Sequence, residues 1–207
     1  MAVPDECPLC AAGKKKQNVV TSHVYGDKEK SRAFFHCLQC DVRYQYPPLT
    51  QEEESRFYRC EFEGFMAGRS GDSGGWQNAE SHVKANESTR LRRMRYLASH
   101  IPPGSNILEI GCSSGFMLFP LRAAGFSCVG IEPSGLFCQY LKNRGIVVYS
   151  SMDALAEAEP GSKFDIIQHF FVLEHIACPL AFLTAQLDHL RPGGKIIFEV
   201  PNVADPL

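Results

Sequence analysis

The sequence predicts an α/β protein in which a doubly wound, mostly parallel sheet follows a small N-terminal module. Two observations lead to this prediction. From Asn106 onward, short apolar runs alternate strictly with helical stretches, as parallel strands joined by crossover helices require. Before residue 47, two Cys-x-x-Cys pairs stand in a polar segment without apolar periodicity. These two parts of the chain therefore belong to different domains.

Composition bounds the partners and the compartment. The chain has 207 residues, of which 44% are hydrophobic and 21% charged, enough for one full core and a small appendage. No apolar run approaches the roughly 20 residues that cross a bilayer, and the start, MAVPDECPLC, lacks the apolar core of a secretion signal. A net charge of -2 gives no overall attraction to nucleic acid or to anionic membranes. We expect a cytoplasmic protein with neither a membrane nor a nucleic-acid partner.

The two cysteine pairs predict a zinc ribbon over residues 1–46. Cys7 and Cys10 are separated by 26 residues from Cys37 and Cys40, and such pairs can present four thiolates in the tetrahedral arrangement that zinc prefers. Zinc held by four protein ligands has no open position and is structural. His36 is an alternative ligand beside the second pair. The other five cysteines stand singly and are expected to be small buried residues.

Residues 47–80 are predicted to be a linker or lid. They contain Pro47-Pro48, the acidic run Glu52–Glu54 and the glycine-rich stretch GRSGDSGGWQ, which together indicate a hinge or a mobile loop. Residues 81–207 are assigned to one domain that begins with an amphipathic lead-in helix, ending near residue 100. The arginines between Arg90 and Arg95 are expected to lie on the solvated face of that helix.

The segment ILEIGCSSGF predicts a ligand site at the end of the first parallel strand. Glu109 stands two residues before Gly111, and Gly115 follows, so the backbone of this turn can approach a ligand closely. The three glycines of a dinucleotide fingerprint are not present, and the acidic residue suits a ligand with a sulfonium and an amino group better than one with phosphates. Glu132 ends the next strand, where a carboxylate can bind ribose hydroxyls. These two motifs alone leave both S-adenosylmethionine and NAD open.

Four motifs in order resemble the class I S-adenosylmethionine-dependent methyltransferases. They are LEIGCSSG, GIEPS, FDIIQHFFVLEHI and LRPGGKIIFEVPN, and they extend from about Ile107 to Asn202. The resemblance implies a Rossmann-like methyltransferase fold and S-adenosyl-L-methionine as cofactor. It also implies the cofactor-binding residues: Glu109, Gly111, Cys112, Ser113 and Gly115 at the methionine portion, Glu132 and Pro133 at the ribose, Ser151 and Met152 at the adenine, and Gln168, with His169, beneath the methyl group.

Methyl transfer from a sulfonium is an in-line displacement, so a general base is needed only where the acceptor loses a proton. The candidates for that role are His169, Glu174 and His175, which stand near strand ends. A zinc ribbon before such a domain resembles bacterial methyltransferases of sugars and small metabolites, which implies a small-molecule acceptor such as a nucleotide sugar. An RNA methyltransferase that binds RNA through its ribbon and a noncatalytic cofactor-binding assembly module stay open as alternatives.

The sequence departs from the family pattern in two places. Ser113 stands where many members have a second glycine. The chain ends shortly after the fifth strand, KIIFEV, without the C-terminal hairpin that usually completes a seven-stranded sheet. We therefore expect an exposed apolar sheet edge, so that the chain is a fragment or associates there with a partner or with itself.

Overall fold

The computed structural model describes residues 2–70, 75, 76 and 78–202, with only the backbone of Gln51 and Ser70. The chain divides into two compact units, Met1–Glu53 and Glu54–Leu207. The first unit is a three-stranded antiparallel sheet in the order β1-β2-β3, formed by Gln17–Thr21, Ala33–Cys37 and Arg43–Tyr46. Its apolar centre is small: Phe35 is fully buried and contacts the rings of Tyr44 and Tyr46.

The segment expected to be a hinge or a mobile loop is largely helical. It forms α1 (Gln51–Arg56), a π-helical turn (Phe57–Glu61) and α2 (Phe62–Ser70). Aromatic side chains explain the difference, because Phe57 packs against Phe62 and Phe65 with ring centroids 5.9 and 5.8 Å apart. Residues 71–74 and 77 of the glycine-rich stretch lie outside the described residues.

The lead-in segment forms two helices instead of one. α3 (Ala79–Ala85) begins at Asn78, whose side chain accepts the Ser81 N–H at 2.8 Å, and α4 (Glu87–Leu97) follows Asn86. Arg93 of α4 does not lie on a solvated face. Arg93 is 6% exposed, and its guanidinium stacks over the ring of Phe170 at 4.3 Å and donates to Glu199 at 2.5 Å. The aromatic and anionic partners offset the desolvation of this charge. They come from the ends of two strands that lie far from α4 in the sequence.

The second unit contains a five-stranded parallel sheet, which confirms the predicted α/β fold. The strand order is β6-β5-β4-β7-β8. The strands are β4 (Asn106–Ile110), β5 (Ser127–Ile131), β6 (Val147–Tyr149), β7 (Phe164–Phe170) and β8 (Leu190–Glu199). The helices that follow the first four strands are α5 (Leu118–Ala123), α6 (Gly135–Asn143), α7 (Met152–Ala158) and α8 (Pro179–Leu187).

Apolar clusters cover both faces of this sheet. On one face Ile107 and Ile166 pack with Leu97 of α4, Leu121 of α5 and Met117, which directly precedes α5. On the other face Leu108 and Ile167 pack with Leu155 of α7 and Phe182 of α8. The chain leaves β4 in one direction through β5 and β6 and returns on the other side through β7, so the strand order reverses at β4. Sheets of this kind bind ligands at the carboxyl ends of the strands beside that point.

The edge of β8 and two of the single cysteines are exposed. Among the described residues β8 pairs on one side only, with β7, and Phe198 and Val200 are 45% and 43% exposed. Association at this edge stays a prediction. Cys60 and Cys178 are exposed, so the expectation of buried thiols is wrong for these two. None of the described helices has the length and apolarity needed to cross a membrane.

Gly130 in the centre of β5 allows the sheet to pack against the turn after β4. A Cβ at this position would lie 2.6 Å from the Cys112 sulfur and 3.2 Å from Leu118. We predict that Gly130→Ala lowers the free energy of unfolding by about 1–3 kcal/mol through overpacking. Denaturant unfolding measures this change. Gly135→Ala, where a Cβ meets nothing within 4 Å, is the matched control; equal stability of the two variants would contradict the prediction.

Candidate functional site

A tight turn with three left-handed residues follows β4. Gly111, Ser113 and Gly115 have φ of 70°, 44° and 74°. The N–H groups of Gly111 and Cys112 both donate to the Ile131 carbonyl, at 2.8 and 3.1 Å. A left-handed conformation costs a non-glycine residue roughly 1–2 kcal/mol, so Ser113 adopts it at an energetic cost that the two glycines do not have. The surrounding structure must hold this turn in place.

Glu132 holds the turn from the end of the neighbouring strand. Its carboxylate accepts the Ser113 N–H at 2.6 Å through one oxygen and the Ser134 N–H at 2.8 Å through the other. Each carboxylate oxygen keeps a further lone pair, so both can also accept a ribose hydroxyl. Glu132 is 6% exposed, and burial raises the pKa of its carboxyl to about 7. The predicted ribose position therefore has a buried carboxylate, already held by two backbone N–H groups, that can accept further hydrogen bonds.

Glu109 lies beside Gln168 at the carboxyl ends of β4 and β7. The Gln168 amide nitrogen donates to the Glu109 carboxylate at 3.0 Å, and the two side chains are 2% and 0% exposed. Burial raises the pKa of Glu109 to about 8. The amide oxygen of Gln168 is buried and has no hydrogen-bond partner among the described residues. A buried acid beside an unused acceptor fits a ligand that carries a cationic amino group.

The other predicted cofactor residues are placed differently from one another. The Cys112 side chain is buried in an apolar cluster with Leu118 and Leu141, so only its backbone borders the turn. Pro133 is half-buried next to Glu132. Ser151 caps α7 by accepting the Ala154 N–H at 3.1 Å, and Met152 packs against the core cluster of the α7 face. These last two residues follow β6, the outer strand on that side.

His169 is not brought together with Gln168, and this corrects the expectation that both form one floor. Consecutive residues of a strand point to opposite faces, and His169 lies on the face covered by α8. Its ring stacks on Phe198 at 5.2 Å and contacts Phe182 at 5.4 Å. It is fully buried, and burial lowers its pKa to about 4. Because this ring is buried between aromatic side chains, the structure does not favour His169 as a general base.

Glu174 and His175 form a polar cluster with a residue that the sequence analysis did not identify. They lie on a 3-10 turn after β7, with the His175 ring nitrogen 3.8 Å from the Glu174 carboxylate. The ring of Tyr58, in the π-helical turn, meets the His175 ring edge-on at 6.0 Å. Burial raises the pKa of Glu174 and lowers that of His175. The sequence analysis missed Tyr58 because the composition of its segment predicts a linker or lid. A π-helical turn often lies at a functional position.

α2 contributes a further acid near the predicted ribose position. Glu63 accepts a hydrogen bond from the Ser134 hydroxyl, and Ser134 caps α6. The negative charge of Glu63 contributes to the raised pKa of Glu132. In addition, Phe62 packs edge-on against Trp76 at 5.2 Å. α2 therefore lies near the carboxyl end of β5.

The four predicted metal ligands of the N-terminal unit lie together. The sulfur atoms of Cys7, Cys10, Cys37 and Cys40 are all within 4.8 Å of one another. Two sulfur pairs, Cys7 with Cys40 and Cys10 with Cys37, are 3.7 Å apart. Four sulfurs at about 2.3 Å from a tetrahedral zinc ion would be separated by about 3.8 Å, so the cluster fits this ion. His36 binds Asp41 at 2.6 Å and is not part of the cluster.

Comparison with known proteins gives similar proteins of one class. A family profile described as "Methyltransferase domain" matches residues 82–207. The ubiquinone biosynthesis O-methyltransferase of Rhizobium johnstonii is 36% identical over 104 residues, which cover 48% of this chain and 42% of that protein. The protein of the same name from Methylococcus capsulatus is 27% identical over 135 residues, covering 61% of this chain and 56% of that protein. The chain thus spans about half the length of the curated relatives it matches.

Among solved structures, the glycopeptide N-methyltransferase MtfA is 19% identical with a TM-score of 0.44, covering 53% of this chain and 52% of that chain. The parallel sheet and the family profile together give this domain the fold of the class I S-adenosylmethionine-dependent methyltransferases. The profile covers more than half of the chain, and the chain therefore belongs to the methyltransferase-domain family. The resemblance drawn from the four motifs is confirmed.

The two buried acids make the stability of the unliganded protein depend on pH. The folded-state pKa values of Glu109 and Glu132, about 8 and about 7, lie above those of the unfolded chain. Between about pH 4.5, the ordinary value for this carboxyl, and about pH 8 these two groups therefore hold more protons in the folded protein, and their contribution to the free energy of unfolding falls as pH rises, by at most about 1.4 kcal/mol per pH unit for each carboxyl. We predict that Glu109→Gln reduces this fall and is more stable than the wild type at pH 8, measured by denaturant unfolding across the window.

Two comparisons make this measurement specific. Glu157→Gln, at an exposed position of α7, should retain the wild-type pH dependence. The buried histidines His82 and His169, whose pKa values burial lowers to about 4, have the opposite effect but below about pH 6.5. An identical slope for Glu109→Gln and the wild type would show that Glu109 is ionised in the folded protein.

Proposed function

We propose that this chain transfers the methyl group of S-adenosylmethionine to a small-molecule acceptor. The observation that carries the proposal is the set of buried polar groups around the left-handed turn: Glu109 with Gln168 on one side and Glu132 on the other. S-adenosylmethionine supplies a methyl group on a sulfonium, which leaves as a neutral thioether. The protein therefore has to hold donor and acceptor in line and does not have to stabilise an anionic leaving group.

The turn and the residues around it would bind different parts of the cofactor. Glu109 would bind the amino group of the methionine portion, which replaces the lost solvation of its carboxylate with an ionic partner. The unpartnered Gln168 oxygen adds a second acceptor beside it. Glu132 would bind the ribose hydroxyls, and the backbone of Gly111 to Gly115 would form the wall that the left-handed conformation brings close. Ser151 and Met152 would border the adenine.

We further propose that the acceptor atom is a hydroxyl oxygen and that His175 is the general base. The O-methyltransferase relatives support the first statement. The ring of His175 meets that of Tyr58, and desolvation lowers its pKa below the ordinary value for histidine, so the ring is neutral near pH 7 and can accept a proton. Glu174 would orient the resulting imidazolium from 3.8 Å. Phenols and sugars both carry hydroxyl groups and belong to this acceptor class, and a nucleotide sugar stays among them.

The cofactor assignment is tested by calorimetric titration with S-adenosylmethionine and S-adenosylhomocysteine, with NAD as the negative control. We predict micromolar binding of the first two and none of NAD. Glu132→Ala removes the ribose acceptor and frees the Ser113 N–H, so it should weaken binding at least tenfold. Glu157→Ala, far along α7 and exposed, should bind like the wild type. Tight binding of NAD, or unchanged affinity in Glu132→Ala, would contradict the assignment.

The acceptor class is tested by transfer of a radiolabelled methyl group to phenols, nucleotide sugars and RNA in parallel. We predict label in a small molecule, and a decrease of about 100-fold in kcat for His175→Gln without a change in cofactor affinity. The acidic limb of the wild-type kcat profile should lie below pH 6.5, the ordinary value for histidine. Label in RNA alone would support the RNA methyltransferase alternative, and cofactor binding without any transfer would support the assembly module.

We also propose that the four-cysteine cluster holds one structural zinc ion. The support is the separation of the sulfurs, which matches the edges of a zinc–thiolate tetrahedron. The apolar centre of the N-terminal unit is small, so the four zinc–thiolate bonds would supply much of the free energy that keeps it folded. With four protein ligands the ion would not take part in methyl transfer.

Metal analysis of the purified chain tests this proposal. We predict about one zinc per chain and a large loss of zinc in Cys40→Ser. Cobalt exchanged into the wild type should give the visible absorption of a tetrahedral thiolate site. Cys178→Ser, an exposed cysteine outside the cluster, is the matched control and should retain the metal. A chain that folds fully without metal would refute a structural zinc.

A further inference from the structure

His82 is a buried histidine that none of the four cofactor motifs contains. It belongs to α3 and is 3% exposed, and its Nδ1 lies 2.8 Å from the hydroxyl oxygen of Ser114. Ser114 is fully buried and stands between the left-handed residues Ser113 and Gly115. The lead-in helix thus contacts the cofactor turn at its centre, through a side chain on each partner.

The neighbours of His82 determine its tautomer. The Asn86 amide nitrogen lies 3.2 Å from His82 Nε2 and also donates to the His82 carbonyl at 2.9 Å. An amide nitrogen can only donate, so Nε2 must be the unprotonated nitrogen. Nδ1 then carries the hydrogen and donates it to Ser114 Oγ. Burial lowers the pKa of His82 to about 4, which agrees with a neutral ring at neutral pH.

Aromatic rings enclose the imidazole and limit its rotation. The ring of Trp76 meets it edge-on at 4.3 Å, and the rings of Phe137 and Phe116 lie at 5.2 and 5.9 Å. Phe137 belongs to α6, whose capping residue Ser134 is bound by Glu132. The histidine is therefore held by the same helix that borders the opposite side of the turn.

We propose that His82 is a positioning residue of the cofactor site, whose bond to Ser114 holds the glycine turn in its left-handed conformation before the cofactor binds. This proposal rests on the proposed function, because it assigns the turn to the cofactor. Glu132 holds the turn through the Ser113 N–H, and His82 holds it through the Ser114 side chain. A turn fixed at two neighbouring residues is preorganised, so the cofactor does not have to order it.

A double-mutant cycle on the full chain tests the proposal. His82→Phe keeps an aromatic ring in the enclosure and removes the donor, and Ser114→Ala removes the acceptor. We expect each to raise the Kd of S-adenosylhomocysteine about tenfold, and the double variant to raise it no further, because all three lose the same bond. His100→Phe, at an exposed position beyond α4, is the control and should bind like the wild type. Independent losses that multiply to about 100-fold, or single variants within twofold of the wild type, would overturn the proposal.

Hydrogen exchange of the unliganded protein gives a readout that does not depend on cofactor. Amides of Gly111 to Gly115 should exchange faster in His82→Phe and in Ser114→Ala, while those in the centre of β7 keep their wild-type protection. Unchanged exchange in the turn would overturn the positioning role. If the wild type binds no S-adenosylmethionine but the exchange still increases, the proposed function fails and the contact between His82 and the turn stands.

Discussion

The turn after β4 and the start of α6 depend on the hydrogen bonds that the Glu132 carboxylate accepts. This carboxylate joins the turn after β4 to the start of α6 by accepting one backbone N–H from each. Without it, the backbone N–H groups of the left-handed Ser113 and of Ser134, the N-cap of α6, would both lose this acceptor. The parallel register of β4 and β5, which pairs Glu109 with Gly130, brings these two segments side by side.

Burial of Glu109 and Glu132 illustrates a conflict between stability and binding. Glu109 lies in β4 and Glu132 directly follows β5, and desolvation raises the pKa of both, so their charged forms are unfavourable in the empty protein. A ligand with an amino group and ribose hydroxyls would replace the missing water. The two buried carboxyl groups therefore lower the stability of the empty protein. In return, they are already in place when a ligand binds.

The helices before the sheet contribute more to this site than their composition suggests. α2 provides Glu63, which accepts the hydrogen bond of the Ser134 hydroxyl, and the π-helical turn provides Tyr58, which contacts His175. α3 provides His82, and α4 provides Arg93, which is paired with Glu199 and stacked on Phe170. Each of these side chains is polar and each is held by residues of the sheet or its loops. Residues that precede the first parallel strand therefore pack around the carboxyl ends of the sheet.

The sequence by itself determined the parallel sheet, the four-cysteine cluster and the acids Glu109 and Glu132, because each depends on local spacing: apolar runs, paired cysteines and an acid at a strand end. Only the tertiary structure decided the roles of the remaining residues. His169 follows Gln168 directly yet faces away from it, because neighbouring strand residues point to opposite sides and the motif does not say which side is the site. Arg93, Tyr58 and His82 were not predictable for a related reason. Their partners lie far along the chain, and burial of a polar side chain depends on those distant partners and not on the segment that carries it.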